Sequence, residues 1–378
     1  MTAADLAPAP AAGPAAPLKS GSASSARRTA VVVGALGVIG RYLVDRLAAE
    51  PGWQVIGLSR RQGADRPGVR YLSVDLLDAS ACQAVLSGLN ETTHVFFAGF
   101  QAASGPAAGY AANIAANRDL LVNSVSAIDR VAPALQRVVL VTGTKYYGTH
   151  LGPFKTPARE SDPRHLPPNY YFDQIDWLTA FQRGRPWHWT ELRPQTLCGF
   201  APGTPMSIVP VIAVYAAICK ELGLPLRFPG KPGAWRSIYQ VTDSAHFANA
   251  ALWAATDPRC AGQAYNITNG DCFRWCNLWP RFADVFEMPW AEPQTISLTA
   301  QMADKAPLWD AMVRRHGLQP FAFDQVAAWP FGDYVFGSDW DVLSNLTKSR
   351  QHGFHDVVDS EAMFVRLLGQ FRRDRIVP

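Results

Sequence analysis

The spacing Gly34-Ala-Leu-Gly37-Val-Ile-Gly40 limits the possible folds of this chain more than any other feature. It follows an apolar, β-branched run over residues 29–33. It precedes a helical pattern with Leu43, Val44 and Leu47 on one face, which Pro51-Gly52 stops. Each glycine has its own task. Gly34 permits a tight turn, Gly37 lets the main chain approach a pyrophosphate, and Gly40 lets the helix pack closely on the strand. Leu36, Val38 and Ile39 complete the loop. The helix N-terminus then faces the phosphates with free N–H groups and the positive end of its dipole. A glycine triplet alone is weak evidence; a strand before it and a helix after it give it weight.

The alternation continues downstream. Residues 54–59, 70–74, 94–98, 137–141 and 187–192 read as strands, and residues 79–89, 115–128 and 172–182 as helices. Parallel strands joined by right-handed crossovers predict an α/β fold, a Rossmann doubly wound parallel sheet. Beyond residue 200 the pattern loosens. Helices are expected over 206–222 and 243–256, a strand over 264–268, and mostly helix over 277–318. The resulting organisation is an Ala/Pro/Ser-rich tail over 1–27, expected to be disordered, and a nucleotide-binding domain over 28–200 with return segments near 237–268. A smaller, mostly helical substrate-binding domain follows over 201–378.

Composition removes several classes of function. The net charge is +4 with no Lys/Arg block, so nucleic acid is not an expected partner. The apolar run over 206–219 contains Pro210 and is too short to cross a bilayer. Prolines 8, 10, 14 and 17 interrupt the N-terminal stretch, which argues against a signal peptide. The six cysteines (Cys82, Cys198, Cys219, Cys260, Cys272 and Cys276) form no CxxC pair. Reduced thiols in a cytoplasmic protein are expected, with no disulfide frame and no metal site. A homodimer is left open. Twelve Trp and nineteen Phe can fill a core or line an apolar pocket.

The second strand ends in Ser59-Arg60-Arg61, where an NAD site would place an acid for the ribose hydroxyls. Two guanidiniums suit a 2′-phosphate instead, which points to NADPH. Asp75, with Leu76 beside it, follows the third strand, where an acid can accept from an adenine amino group; Asp75 could equally cap a helix.

Short-chain dehydrogenases carry a Tyr with a Lys four residues later, and no Tyr here has that spacing. Two other places can supply the pair. The fifth strand ends in Thr142-Gly143-Thr144-Lys145, and a helix opens at Asn169-Tyr170-Tyr171-Phe172. A Lys from the strand end and a Tyr from the helix start could meet at the nicotinamide. A phenol with an ordinary pKa of about 10 can donate to a developing oxyanion, and a nearby ammonium strengthens that donor. Spacing alone equally allows a surface lysine and a packed aromatic.

Several further motifs carry a resemblance. They are Leu151-Gly-Pro-Phe154, Arg193-Pro194-Gln-Thr-Leu-Cys-Gly199-Phe200, Val214-Tyr-Ala-Ala-Ile-Cys-Lys220, Leu226-Arg-Phe-Pro-Gly230, Asn266-Ile-Thr-Asn-Gly-Asp271 and Lys348-Ser-Arg-Gln-His-Gly-Phe354. With the Lys145 and Tyr171 motifs, they make residues 29–378 resemble the progesterone 5β-reductase and iridoid synthase group, an atypical branch of the extended short-chain dehydrogenases. The resemblance implies that Lys145 and Tyr171 are the active-site pair. It also implies hydride delivery from NADPH to the β-carbon of an enone or enal, a small apolar carbonyl substrate. Tyr171 would hold the enolate oxygen. Thr142, Gly143, Pro194, Thr196 and Leu197 would lie along the nicotinamide end, and Arg60 and Arg61 match the family's paired arginines.

Two departures stand out. The family's Asn-Phe-Tyr-Tyr-x-x-Glu-Asp reads Asn169-Tyr-Tyr-Phe-Asp-Gln-Ile-Asp176, with Phe172 for the second Tyr and Ile175 for the Glu. Pro205-Met206-Ser207 replaces a Ser-Met-Met-Asn segment common in plant members, so their substrate preference does not carry over. Candidate pocket walls are Phe100, Phe154, Met206, Trp235 and Trp340, of which family position favours Met206 and Trp340. Three readings result: an NADPH-dependent reductase of activated C=C bonds, a carbonyl reductase or nucleotide-sugar epimerase on the same scaffold, and a non-catalytic NADP(H) sensor.

Overall fold

The computed structural model describes residues 27–101, 113–204 and 206–378. The tail expected over 1–27 lies outside the described residues, Arg27 apart, and so does Pro205. Strand β1 (Arg28–Val33) leads into α1 (Val38–Ala48), then β2 (Trp53–Ser59), β3 (Val69–Ser73), α2 (Ala79–Leu86), β4 (His94–Phe97), α3 (Ile114–Val131), β5 (Arg137–Val141), α4 (Tyr170–Gln182) and β6 (His188–Pro194). Next come β7 (Leu197–Cys198), α5 (Ile208–Glu221), β8 (Leu226–Arg227), α6 (Pro232–Arg236), β9 (Thr242–Asp243), α7 (Ser244–Thr256) and β10 (Gln263–Ile267). The chain ends with α8 (Trp275–Val285), β11 (Trp290–Ala291), α9 (Leu298–Gln301), α10 (Ala306–His316), α11 (Phe323–Val326), α12 (Trp329–Phe336), α13 (Thr347–Gln351) and α14 (Ser360–Arg373).

Seven strands form one sheet in the order β10-β6-β5-β4-β1-β2-β3, with every pairing parallel. The expected doubly wound sheet is therefore the fold. Its strands are apolar on both faces because both faces are covered. On one face Val32, Phe96, Val139 and Leu192 meet Leu43, Val44 and Leu47 of α1 and Phe247, Ala248 and Ala251 of α7. On the other, Val31, Val95, Phe97, Val138 and Leu140 meet Leu121, Val125 and Ile128 of α3 and Leu178 of α4. The strand order reverses between β1 and β4, and ligands of such sheets bind at the carboxyl ends of the strands beside that point.

Residues 242–267 return to this sheet: α7 packs on α1, and β10 pairs with β6, Ile267 opposite Pro194. A second core gathers α5, α8, α12 and α14, with Trp275, Trp279, Phe228, Phe282, Phe336 and Phe364 packed as a continuous aromatic mass. Much of the aromatic excess seen in the sequence is spent here.

Some boundaries move for identifiable reasons. Helix α4 begins at Tyr170 because the Asn169 carboxamide accepts the Tyr171 N–H and caps it. Helix α5 begins at Ile208, which places Pro210 in the first turn, where no hydrogen bond is lost. The stretch expected to be mostly helical over 277–318 carries α8, α9 and α10, with the short strand β11 between the first two.

Candidate active site

The glycine turn is built as its spacing suggested. Gly34 has a φ of +78°, and a Cβ there would lie 2.6 Å from the Ala98 carbonyl oxygen. A Cβ on Gly40 would fall 2.1 Å from the Gly34 carbonyl oxygen, so only glycine lets α1 start this close to β1. Gly37 differs, because a Cβ there meets nothing nearer than 3.2 Å. The protein's own packing crowds a side chain at that position far less than at Gly40. Gly37 is also the N-cap of α1 and offers no side chain to its first-turn N–H groups. A surface free of side chains beside unpaired N–H donors fits a phosphate. Leu36 and Ile39 are half-buried around it, and Val38 is buried.

At the end of β2, Ser59 is half-buried and Arg60 and Arg61 are exposed. Arg61 reaches across to donate to the Pro202 carbonyl at 3.3 Å, and its guanidinium lies over Gly203. The Arg60 carbonyl accepts from the Ser73 hydroxyl at 2.8 Å. Asp75 accepts the Leu77 N–H at 3.0 Å but does not cap α2, whose N-cap is Asp78, accepting from the Ser80 and Ala81 N–H groups. Leu76 is a core side chain whose carbonyl accepts from Asn123 at 2.8 Å.

The main chains at Lys145 and Tyr171 are joined through one residue. Beyond β5, Thr142 and Gly143 lead into a 3₁₀ turn, Thr144–Tyr147, that carries Lys145. Asn169 donates to the Lys145 carbonyl at 3.0 Å and accepts the Tyr171 N–H at 3.0 Å. The Tyr171 hydroxyl comes down over Gly143: a Cβ there would lie 3.1 Å from that oxygen and 3.4 Å from the Pro194 carbonyl. Gly143 thus keeps the space the phenol occupies, and Thr142, Pro194 and Tyr171 converge at the carboxyl ends of β5 and β6.

The electrostatics follow from burial. Burial pushes the Tyr171 phenol up to about 12, a hydrogen bond from Tyr170 pulls it back, and the Glu191 carboxylate pushes the same way as burial. Burial lowers the Lys145 ammonium below its ordinary value of 10.5. His150, depressed to about 4 by burial and then by Lys145 and His165, is neutral at physiological pH.

Beneath this pair lies a polar network that the sequence reading missed. Thr142 donates to Glu191 at 2.7 Å, and the Glu191 carboxylate takes two bonds from Arg193, at 3.0 and 2.7 Å. Arg193 donates onward to the Tyr147 hydroxyl at 2.9 Å, and Tyr147 to Asn266 at 2.7 Å. The Arg193 guanidinium stacks 3.5 Å over the Tyr146 ring. The 3₁₀ turn with Lys145 is therefore clamped through both of its tyrosines. The signal available was two opposite charges two residues apart in a strand otherwise buried on both faces. Gln195, joined to Thr144, also donates to Thr196 and to the Tyr239 hydroxyl, and Thr196 and Tyr239 share a bond of 2.8 Å.

The five expected pocket residues are placed unequally. Phe100 is 44% exposed, with its ring 5.9 Å from Tyr170, which in turn lies 4.6 Å from Tyr171. Phe154 is half-buried between the Tyr146–Tyr147–Phe172 cluster and the second core. Met206 is exposed just before α5. Trp340 is half-buried on the second core, its indole N–H without an acceptor among the described residues. Trp235 lies deepest, packed on Phe228 with ring centroids 5.1 Å apart. Tyr334, absent from the expected set, brings its ring to 5.4 Å from the Lys145 ammonium.

Residues 73–378 match the family model described as a PRISE-like Rossmann-fold domain. An (S)-8-oxocitronellyl enol synthase from Nepeta cataria is 35% identical over 370 residues, which cover 92% of this chain and 93% of that protein. A 3-oxo-Δ(4,5)-steroid 5-β-reductase from Arabidopsis thaliana is 33% identical over 372 residues, covering 92% and 93%. Among solved structures, an epimerase from Methanothermobacter thermautotrophicus superposes with a TM-score of 0.66 over 93% of this chain and 94% of its own. At 15% identity that likeness shows the fold alone.

Proposed function

The chain belongs to the PRISE-like Rossmann-fold family, and on that premise we propose that it is an NADPH-dependent reductase of activated C=C bonds, acting on a small apolar enone or enal. The observation that carries this reading is the Tyr171 hydroxyl held over Gly143 beside the Pro194 main chain, with the Lys145 main chain tied to the start of the same helix through Asn169. The two curated relatives described above are named for a steroid enone reductase and an enol synthase, which supports the same chemistry.

The turn Gly34, Leu36, Gly37, Val38, Ile39 and Gly40 would hold the cofactor pyrophosphate, and Ser59, Arg60 and Arg61 the 2′-phosphate. Asp75 and Leu76 would border the adenine, and Thr142, Gly143, Pro194, Thr196 and Leu197 the nicotinamide. Bound NADPH would supply a hydride. Everything else falls to the chain. Tyr171, a phenol at neutral pH, donates to the substrate carbonyl oxygen and stabilises the enolate that forms when the β-carbon gains the hydride. It is too weak an acid to give up its proton readily, so the α-carbon takes its proton from water. Lys145 keeps the potential at that oxygen positive. In this reading residues 28–200 hold the nucleotide, residues 201–378 shape the substrate pocket with Phe100 and Phe154, and the thiols stay reduced in the cytoplasm.

The test follows absorbance at 340 nm with 2-cyclohexen-1-one, an enal, progesterone and a plain saturated ketone, and identifies products by mass spectrometry. Saturated carbonyl products, with the plain ketone untouched, are expected. The Arg60→Ala/Arg61→Ala double variant should raise KM for NADPH far more than for NADH. Alcohol products, or equal losses with both nucleotides, would overturn the corresponding half of the reading.

A further inference from the structure

The second core brings the ring of Tyr334 to the Lys145 ammonium. Its helix, α12, is fixed in register from two sides. The Asp333 carboxylate accepts the Leu298 N–H at 2.6 Å and the Thr299 N–H at 3.0 Å, capping the start of α9, and takes the Ser297 hydroxyl at 3.0 Å. Gly332 lies so close to α5 and α9 that a Cβ would fall 2.7 Å from a Val211 methyl and 2.8 Å from a Leu298 methyl. With the two residues before it locked, Tyr334 has little freedom in where its ring goes. The ring centroid lies 5.4 Å from the Lys145 ammonium, within the range of a cation–π contact.

We propose that Tyr334 is a positioning residue for Lys145: its ring, brought in by α12, faces the ammonium and holds it charged and in place beside Tyr171. The rest of the surroundings explain why such a partner matters. Burial drives the Lys145 ammonium toward its neutral form. From the loop after the 3₁₀ turn, His150 is neutral and offers no compensating charge, with His165 beyond it. From α4, Tyr171 stays a phenol. Tyr334 is itself raised by burial and stays neutral, so what it offers the ammonium is the face of its ring. It also lies close enough to Tyr171 and Tyr239 that its ionisation would raise both of their phenols. One ring therefore links the second core to both members of the pair.

The role assigned to Lys145 rests on the proposed reductase function, but the test does not. The Lys145 pKa can be read directly from the pH dependence of its acetylation by acetic anhydride, followed by peptide mass spectrometry. The measurement compares the full chain with its Tyr334→Phe and Tyr334→Leu variants, and uses Tyr334→Met should the leucine variant fold poorly. The phenylalanine variant keeps the ring and should leave the Lys145 pKa where it is. Removing the ring should lower it by about half to one and a half pH units, the size of a cation–π contact. The alkaline limb of kcat/KM should move down with it. A raised or unchanged Lys145 pKa without the ring would overturn the proposal, because the ring would then be only a cover against water. An equal drop in the phenylalanine variant would overturn it too, by assigning the effect to the hydroxyl. Should the labelling behave as expected while no enone is reduced, the positioning role stands and the reductase reading falls.

Discussion

Tyr171 and Lys145 are shifted in opposite directions by one cause, since each loses water around its charged form. The phenol rises to about 12 and the ammonium falls below 10.5. The sign of the pH dependence follows. As pH rises, Lys145 loses its proton first and Tyr171 only near 12, so kcat/KM should decline along an alkaline limb that begins below pH 10.5. Lys145→Met should lower the plateau and remove that limb. Tyr171→Phe should reduce kcat by ~10²–10³, the cost of losing one oxyanion donor, and near-normal turnover would end the role given to it. These two residues were legible because each sits in a contiguous motif with a fixed place on a strand end or helix start. Tyr334 was not, because nothing in the sequence around it says that α12 folds back over the 3₁₀ turn. Glu191 and Arg193 were passed over because a charged pair in a strand reads as an exposed face until both sides of the sheet are known to be covered.

The glycine turn separates two uses of the same residue type within one element pair. At Gly40 an added methyl would strike the Gly34 carbonyl at 2.1 Å, whereas at Gly37 the nearest atom would be 3.2 Å away. Gly40→Ala should therefore displace α1 and lower the thermal midpoint as well as nucleotide affinity. Gly37→Ala should lower the midpoint far less and weaken NADPH binding, since in the proposed reading the methyl would stand where a phosphate binds. Thermal unfolding and NADPH titration on both variants check this, and equal destabilisation by the two would contradict it. The β1–turn–α1 unit was readable because strand, turn and helix patterns each agreed locally. Element ends were less so. The start of α4 depends on a cap by Asn169, and the start of α5 on where Pro210 can be tolerated, and both are decided by hydrogen bonds rather than by apolar period.

At the scale of the whole molecule, a parallel sheet sets the carboxyl ends of β1, β5 and β6 around one point, and a second aromatic core lowers α12 toward it. The alternation of strands and helices disclosed the first part. The second rests on contacts between segments far apart in sequence, which no local pattern encodes. The arrangement leaves one chemical question open to direct measurement: which carbon of a conjugated carbonyl receives the hydride. The test is a single turnover with NADPH deuterated at C4 of the nicotinamide and 2-cyclohexen-1-one, with the label located by mass spectrometry and NMR. Deuterium on the β-carbon of cyclohexanone is the predicted result. Deuterium on the carbinol carbon of an allylic alcohol would contradict the account and make the chain a carbonyl reductase.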